Sequence, residues 1–146
     1  MRDVRPAAVA GMFYPGSAAE LAATVRKCLT EARRPARAPA GAPKALIVPH
    51  AGYVYSGPIA AGAYARLAAL RGAIRRVVLL GPTHRVAVRG LALPSVRAFA
   101  TPLGEVEVDR DAVAALAGLP QVVVSDAAHA LEHSLEVQLP FLQTAL

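Results

Sequence analysis

Lys44-Ala-Leu-Ile-Val48-Pro-His50 and Arg76-Val-Val-Leu-Leu80-Gly-Pro-Thr-His84 set the architecture of this chain. Each is a short apolar run of the kind that forms a buried parallel strand, and each ends in a loop that carries a histidine. In an open parallel sheet the carboxyl ends of the strands share one edge, and the loops there line a ligand crevice. His50 and His84 are therefore predicted to meet in space.

Patterns on either side complete an α/β order. Ser17 and Glu20 form a capping box ahead of an amphipathic helix. Strand, helix and strand then follow in turn, which predicts a mostly parallel or mixed central sheet flanked by helices. Three prolines and a glycine make residues 33–43 a surface connection. The other predicted elements are helices at 18–32, 58–70 and 111–117 (the last capped by Asp109), strands at 91–93, 96–100, 105–108 and 122–124, and a final helix from Ser134 that kinks or ends near Pro140.

The composition indicates one globular domain of 146 residues. The net charge of +6 comes from basic residues spread along the chain without interleaved aromatics, which argues against nucleic-acid binding. The longest uncharged stretch, 45–65, holds prolines and glycines in its middle, so we expect no membrane span. No signal peptide is evident, so a cytoplasmic location is expected. Cys28, the single cysteine, is interpreted as a small hydrophobe in the first helix.

The paired histidines predict a metal site. One histidine in a loop is most often exposed to solvent or bonded to backbone, but two at equivalent strand ends favour metal ligation by His50 and His84. Neutral imidazole is a common protein ligand for iron, copper and zinc. Tyr53 and Tyr55, in the loop after His50, are candidates for lining a substrate pocket, although aromatic packing would explain them equally well.

A third cluster, His129-Ala-Leu-Glu132-His133, has two readings. It fits the H-x-x-E-H pattern of zinc peptidases, which requires one helix through all five residues. If a helix instead begins at Ser134, the cluster lies in a loop after the 122–124 strand and points to the same sheet edge as His50 and His84. In that case Glu132 and His133 are candidate acid/base catalytic residues, or residues that support the metal ligands.

Four motifs, in order and over nearly the whole chain, resemble the Memo family, whose bacterial and archaeal members are often named AmmeMemoRadiSam system protein B. They are Ala10-Gly-Met-Phe-Tyr-Pro15, Pro49-His-Ala-Gly-Tyr-Val-Tyr-Ser-Gly57, Leu80-Gly-Pro-Thr-His84 and Glu132-His-Ser-Leu-Glu-Val-Gln-Leu-Pro-Phe141. The family is similar in fold to the catalytic subunit of class III extradiol dioxygenases, which are non-haem iron enzymes. By this resemblance His50 and His84 correspond to two metal ligands. The third ligand, a glutamate in the dioxygenases and a cysteine in Memo proteins, corresponds to a position beyond Leu146, as does a further catalytic-type histidine, and Cys28 does not match that ligand.

The resemblance makes residues 1–146 a single Memo-like domain, the N-terminal portion of a longer fold. The sequence stops on an apolar residue without a helix-ending signal, and we expect a protein roughly twice as long. Without the third, anionic ligand, iron(II) or copper should bind this chain weakly or not at all, and whether it is an enzyme stays open. The complete protein would carry out iron- or copper-dependent redox chemistry.

The alternative function is a non-catalytic scaffold that uses the same pocket for a peptide or protein. The resemblance supports this too, because the animal member is described as a signalling effector that binds phosphotyrosine peptides. The family name implies a radical S-adenosylmethionine protein and an AMMECR-like protein as partners. Small molecules are also candidate ligands.

Overall fold

The computed structural model describes residues 3–32 and 41–146 and has a mixed α/β architecture with small sheets flanked by helices. A three-stranded sheet has the order β1-β3-β4, with β1 parallel to β3 and β3 antiparallel to β4. A second sheet pairs β2 with β5 in parallel. Within the described residues, no helix is long and apolar enough to cross a membrane. The strands are β1 (Val4–Arg5), β2 (Leu91–Leu93), β3 (Ala98–Thr101), β4 (Gly104–Glu107) and β5 (Val122–Val124); the α-helices are α1 (Ala18–Glu31), α2 (Tyr53–Tyr64), α3 (Arg110–Leu116), α4 (Asp126–Ala130) and α5 (Leu139–Ala145); and 3₁₀ turns span Ala65–Leu70 and Glu136–Gln138.

Helix α1 confirms the predicted first helix to within one residue. Its N-cap Ser17 accepts a hydrogen bond from the Glu20 amide at 3.3 Å, as a capping box requires. Leu21 and Val25, four residues apart, are fully buried on the face that packs against α2 and α5. The larger hydrophobic core lies at this junction and also contains Phe141.

The N-terminal arm, residues 3–15, is anchored to this core as its aromatic residues suggest. Tyr14 is buried, and Phe13 packs against the same cluster. The arm also adds a strand that the sequence did not indicate, because β1 pairs with β3. Most of the predicted 33–43 connection lies outside the described residues.

The prediction of buried parallel strands at 44–48 and 76–80 is wrong. Neither segment forms a strand, and no described residue pairs with either one in a ladder. Ile47 is fully exposed, and Leu80 is 74% exposed. An apolar run indicates that a segment tends to be buried, but it forms a strand only where a neighbouring backbone supplies hydrogen bonds. Strand β5 forms as predicted because β2 supplies its backbone hydrogen bonds. It is nevertheless not buried, since Val124 is 59% exposed.

Helix α2 begins earlier than predicted and carries Pro58 in its interior rather than in its first turn. Pro58 removes one helical hydrogen bond. One tertiary and one local hydrogen bond hold the turn before it: the Tyr53 amide donates to the Phe13 carbonyl at 2.7 Å, and Ser56 Oγ donates to the Ala51 carbonyl at 2.7 Å. Tyr53 and Tyr55 therefore lie on a helix, not in the predicted loop.

The last α-helix begins at Leu139, five residues after the predicted start at Ser134, and it continues through Pro140 instead of kinking or ending there. Residues 136–138 form a 3₁₀ turn, and α5 follows with Pro140 in its first turn, where a missing amide costs no hydrogen bond. The Asp109 cap and β2 are as predicted.

Candidate metal centre

His50, His84 and His133 converge on one place, which we call the three-histidine cluster. Their ring centroids are 5.3 Å apart for His50 and His84, 5.9 Å for His50 and His133, and 4.5 Å for His84 and His133. One potential ligand atom from each residue lies within 4.8 Å of the other two. The predicted meeting of His50 and His84 is confirmed, although the segments that carry them are not strands.

His84 is positioned by docking of residues 81–84 onto residues 132–134. The Ser134 hydroxyl donates to the Pro82 carbonyl at 2.8 Å, and the His84 amide donates to Glu132 Oε2 at 2.6 Å. Gly81 makes this close approach possible, because a Cβ atom at that position would lie 2.7 Å from Ser134 Oγ. The glycine of the Gly-Pro-Thr-His motif is thus needed for packing.

Glu132 is a buried carboxylate that connects two of the histidines. Its Oε1 atom accepts from Nδ1 of His84 at 2.8 Å and from the amides of His133 and Ser134 at 2.8 and 2.9 Å. Burial by itself raises the pKa of the Glu132 carboxyl, but the hydrogen bonds from His84, Ser134 and His133 outweigh burial and lower that pKa to about 2. The carboxylate therefore only accepts hydrogen bonds. Nδ1 of His84 must carry the hydrogen, which leaves the lone pair of Nε2 free for a metal.

His133 is held between two rings. The centroid of its ring lies 4.6 Å from that of Phe13, and the ring stacks on His84. The side chain of His133 is 17% exposed. Burial lowers the pKa of His133, against the opposing charge of Glu132, so the neutral imidazole that binds metals is favoured.

His50 is placed through the backbone on either side of it. The Pro49 carbonyl accepts from Gln138 Nε2 at 3.1 Å, and Gln138 in turn accepts from the Tyr64 hydroxyl at 2.9 Å. The start of α2, just after His50, is fixed to the N-terminal arm. Both sides of His50 are therefore anchored to buried groups.

Residues 132–138, which we call the central segment, organise the site. Its polar residues at alternate positions, Glu132, Ser134, Glu136 and Gln138, are all buried. Glu136 is completely buried and accepts from the Arg5 guanidinium, the Tyr14 hydroxyl and the amides of Ala8 and Val9. Burial and the hydrogen bond to Glu136 raise the pKa of Tyr14.

Sequence reasoning missed Glu136 and Gln138, because after Ser134 it used only the apolar residues of this segment. The signal was present as polar residues that alternate with Leu135, Val137 and Leu139. Polar side chains inside such an apolar run must find partners when they are buried.

The other predicted site residues lie elsewhere. The Tyr53 ring packs in the core, 5.0 Å from Phe141, and its hydroxyl donates to the Val137 carbonyl at 2.7 Å. Tyr55 is 80% exposed. Neither belongs to the three-histidine cluster, and their role in a substrate pocket stays a prediction. Cys28 is partly buried against the hydrophobic core.

The zinc-peptidase reading of residues 129–133 is not supported, and the loop placement of His129 is also wrong. Helix α4 ends at Ala130, so the five residues do not share one helix. The ring of His129 is bonded to the Ala92 carbonyl at 3.1 Å, within a buried position. His133 follows the helix, as the loop reading of the motif required.

The donor set of the cluster suits a transition metal. Imidazole nitrogens favour iron, copper and zinc over magnesium and calcium, which prefer oxygen ligands. Two nitrogens bound to one ion at about 2.1 Å, with ligand angles of about 90–110°, lie about 3.0–3.4 Å apart. The ligand atoms of the cluster, which lie within 4.8 Å of one another, would therefore have to approach by at most about 1.8 Å, which rotation of the rings can supply. The residues therefore fit such a metal.

Comparisons with known proteins agree with the motifs. The family model for Memo-like proteins matches residues 5–146. A MEMO1 family protein of Ignicoccus hospitalis is 46% identical over 96% of this chain and 51% of its own length. One from Methanopyrus kandleri is 43% identical over 95% of this chain and 51% of its own, and one from Aquifex aeolicus is 41% identical over 96% and 49%. The chain thus spans about half the length of the curated relatives it matches.

Proposed function

The chain belongs to the Memo family, and on that premise we propose that it binds a metal, iron(II) or copper, through His50 and His84. The observation that carries the proposal is the 5.3 Å separation of the two imidazole centroids. Anchored backbone holds both rings, His50 by the Pro49 contact with Gln138 and His84 by the contacts with Glu132 and Ser134. Two rings held in this way resemble a preorganised ligand pair.

Bound iron or copper would supply redox chemistry, which we propose for the complete protein. The residues of this chain would bind and orient that metal. Glu132 fixes the ring of His84, and His133 lies close enough to hold a proton or a ligand group beside the metal. The side chain of His84 is 40% exposed, so the cluster is open to solvent and to a small molecule from that side.

Metal content after substitution tests the proposal. Purified wild-type, His50→Ala and His84→Ala proteins would be loaded anaerobically with Fe(II) or with copper, desalted and analysed for metal by mass spectrometry. We expect each variant to lose the bound metal. His129→Gln is the matched control, because it removes the one histidine outside the cluster and keeps a donor for the Ala92 carbonyl. Wild-type metal content in both alanine variants would refute the proposal.

A second candidate, a scaffold that binds a peptide at the same place, is favoured by the exposure of residues 81–85. Arg85 lies on this exposed surface beside His84 and offers a cation for an acidic or phosphorylated side chain. Binding of a phosphotyrosine peptide that survives both alanine substitutions, while metal is lost, would separate the two functions.

A further inference from the structure

We propose that His133 is a third metal ligand, so that this chain by itself carries a site of three imidazoles that prefers Cu(II) to Fe(II). The inference rests on the proposed function and extends it. The family resemblance places the third ligand beyond Leu146, whereas the three-histidine cluster supplies a third nitrogen from within the described residues.

The ring spacing matches a shared ion. A metal bound at about 2.1 Å from each nitrogen lies about 3.2 Å from the centre of each ring. With ligand angles of about 90–110°, ring centres around one ion are then about 4.5–5.2 Å apart. The observed centroid separations are 4.5, 5.3 and 5.9 Å. The separations of His50 from His84 and from His133 exceed this range, so the ring of His50 must approach the other two, by less than about 1 Å.

The contacts of His133 differ from those of a histidine with a structural role. His129, four residues earlier, has its ring nitrogen bonded to the Ala92 carbonyl at 3.1 Å. Among the described residues, no hydrogen bond is formed by a ring nitrogen of His133, and Glu132 Oε1, at 3.4 Å from Nδ1, is too far for a good one. The ring of His133 is held by stacking and its amide by Glu132, which leaves its nitrogens available.

The Glu132 carboxylate offsets part of the charge of a bound metal ion, which a third neutral ligand cannot do. Three imidazoles leave a divalent ion with its full charge. The Glu132 carboxylate lies directly behind His84, hydrogen-bonded to Nδ1, and 3.4 Å from Nδ1 of His133. Carboxylates in this position raise the basicity of a metal-bound imidazole and fix its orientation. Glu132 is therefore a positioning residue for the proposed ligands.

The ligand type determines the metal preference. For a given set of nitrogen ligands, affinity rises from Fe(II) to Cu(II), which is bound most tightly of the first-row divalent ions. A site with no anionic ligand in direct contact gives iron no compensating advantage. We therefore expect Cu(II) to displace Fe(II) from this chain.

Pulsed electron paramagnetic resonance on the whole chain with one equivalent of Cu(II) tests the inference, because the modulation from remote ring nitrogens counts the bound imidazoles. We expect three in the wild type and two in His133→Ala. We also expect the Cu(II) affinity of His133→Ala to fall by at least about tenfold. His129→Gln should match the wild type in both measurements.

The outcomes separate this inference from the proposed function. Two imidazoles in the wild-type spectrum would overturn the role of His133 and leave the ligand pair of His50 and His84 intact; this measurement does not depend on the variant folding. Wild-type Cu(II) affinity in His133→Ala would do the same. Unchanged Cu(II) binding in both His50→Ala and His84→Ala would instead refute the metal site as a whole.

Discussion

The Glu132 carboxylate accepts a hydrogen bond from Nδ1 of His84 at 2.8 Å, while the same oxygen accepts the amide of the neighbouring residue, His133. One side chain therefore sets the ring of one histidine and the backbone of another. Since its other oxygen accepts the His84 amide at 2.6 Å, the whole carboxylate is used to join two loops. This arrangement makes Glu132 a positioning group.

Glu132→Gln should weaken the metal site without removing a ligand. The amide nitrogen of Gln cannot accept, so at least one of the donors from His84 and residues 133–134 loses its partner. Loss of such a supporting carboxylate reduces metal affinity by about 10- to 100-fold. Cu(II) titration measures this change, and long-range ¹H–¹⁵N spectra of the metal-free protein report whether His84 keeps its Nδ1 hydrogen. Glu107→Gln, an exposed carboxylate in β4, is the control and should change neither.

Gly81→Ala should separate the two loops that form the cluster. The new methyl group would lie 2.7 Å from Ser134 Oγ and 2.9 Å from a Leu135 methyl, so the backbone must shift. Overpacking of this kind costs about 1–3 kcal/mol of unfolding free energy and should also lower Cu(II) affinity. Urea denaturation and metal titration measure the two effects. Gly118→Ala is the control, because nothing lies within 4 Å of its added Cβ; equal behaviour of the two variants would contradict the packing argument.

Glu136→Gln should strongly destabilise the fold. The substitution leaves the buried guanidinium of Arg5 without its anionic partner, which typically costs about 3–5 kcal/mol. Thermal or urea unfolding measures this loss. Asp3→Asn, which breaks the exposed pair with Arg97, is the contrasting variant and should leave stability unchanged. A small effect of Glu136→Gln would mean that the network does not hold the N-terminal arm.

Stability should fall as the pH drops below the ordinary pKa of histidine, because of His129. Burial lowers the pKa of His129 in the folded state from 6.5, against the favourable hydrogen bond to Ala92. The unfolded chain therefore binds the proton more readily, and stability is lost between pH 6.5 and the lower folded pKa. Unfolding free energies measured at about pH 8 and about pH 5.5 test this effect. In His129→Gln the decrease should be smaller, and an identical decrease would assign it to other groups.

The sequence predicted local elements well where their causes are local. Helix α1 depends on Ser17, Glu20 and its own apolar spacing, and each of these can be read without knowing the rest of the fold. The Asp109 cap of α3 is of the same kind, since its side chain accepts from the Ala112 amide at 2.9 Å. His50 and His84 meet as predicted, although the parallel strands from which this was inferred do not form.

The errors concern features that depend on distant partners. Residues 44–48 and 76–80 have the composition of strands, but strand formation also requires a neighbouring backbone. Helix α2 starts before Pro58 because the carbonyl of Phe13 receives the Tyr53 amide, a contact between segments far apart in sequence. The buried role of Glu136 depends equally on Arg5, at the other end of the chain.

The central segment couples metal affinity to folding stability, because both depend on the same closed conformation. Residues 132–138 hold the N-terminal arm through Glu136, the backbone before His50 through Gln138 and the ring of His84 through Glu132. Any opening that frees this segment would disperse the three imidazoles at once. An ion that binds only the closed form would shift the melting temperature upward with its concentration, and its release would accompany detachment of the arm.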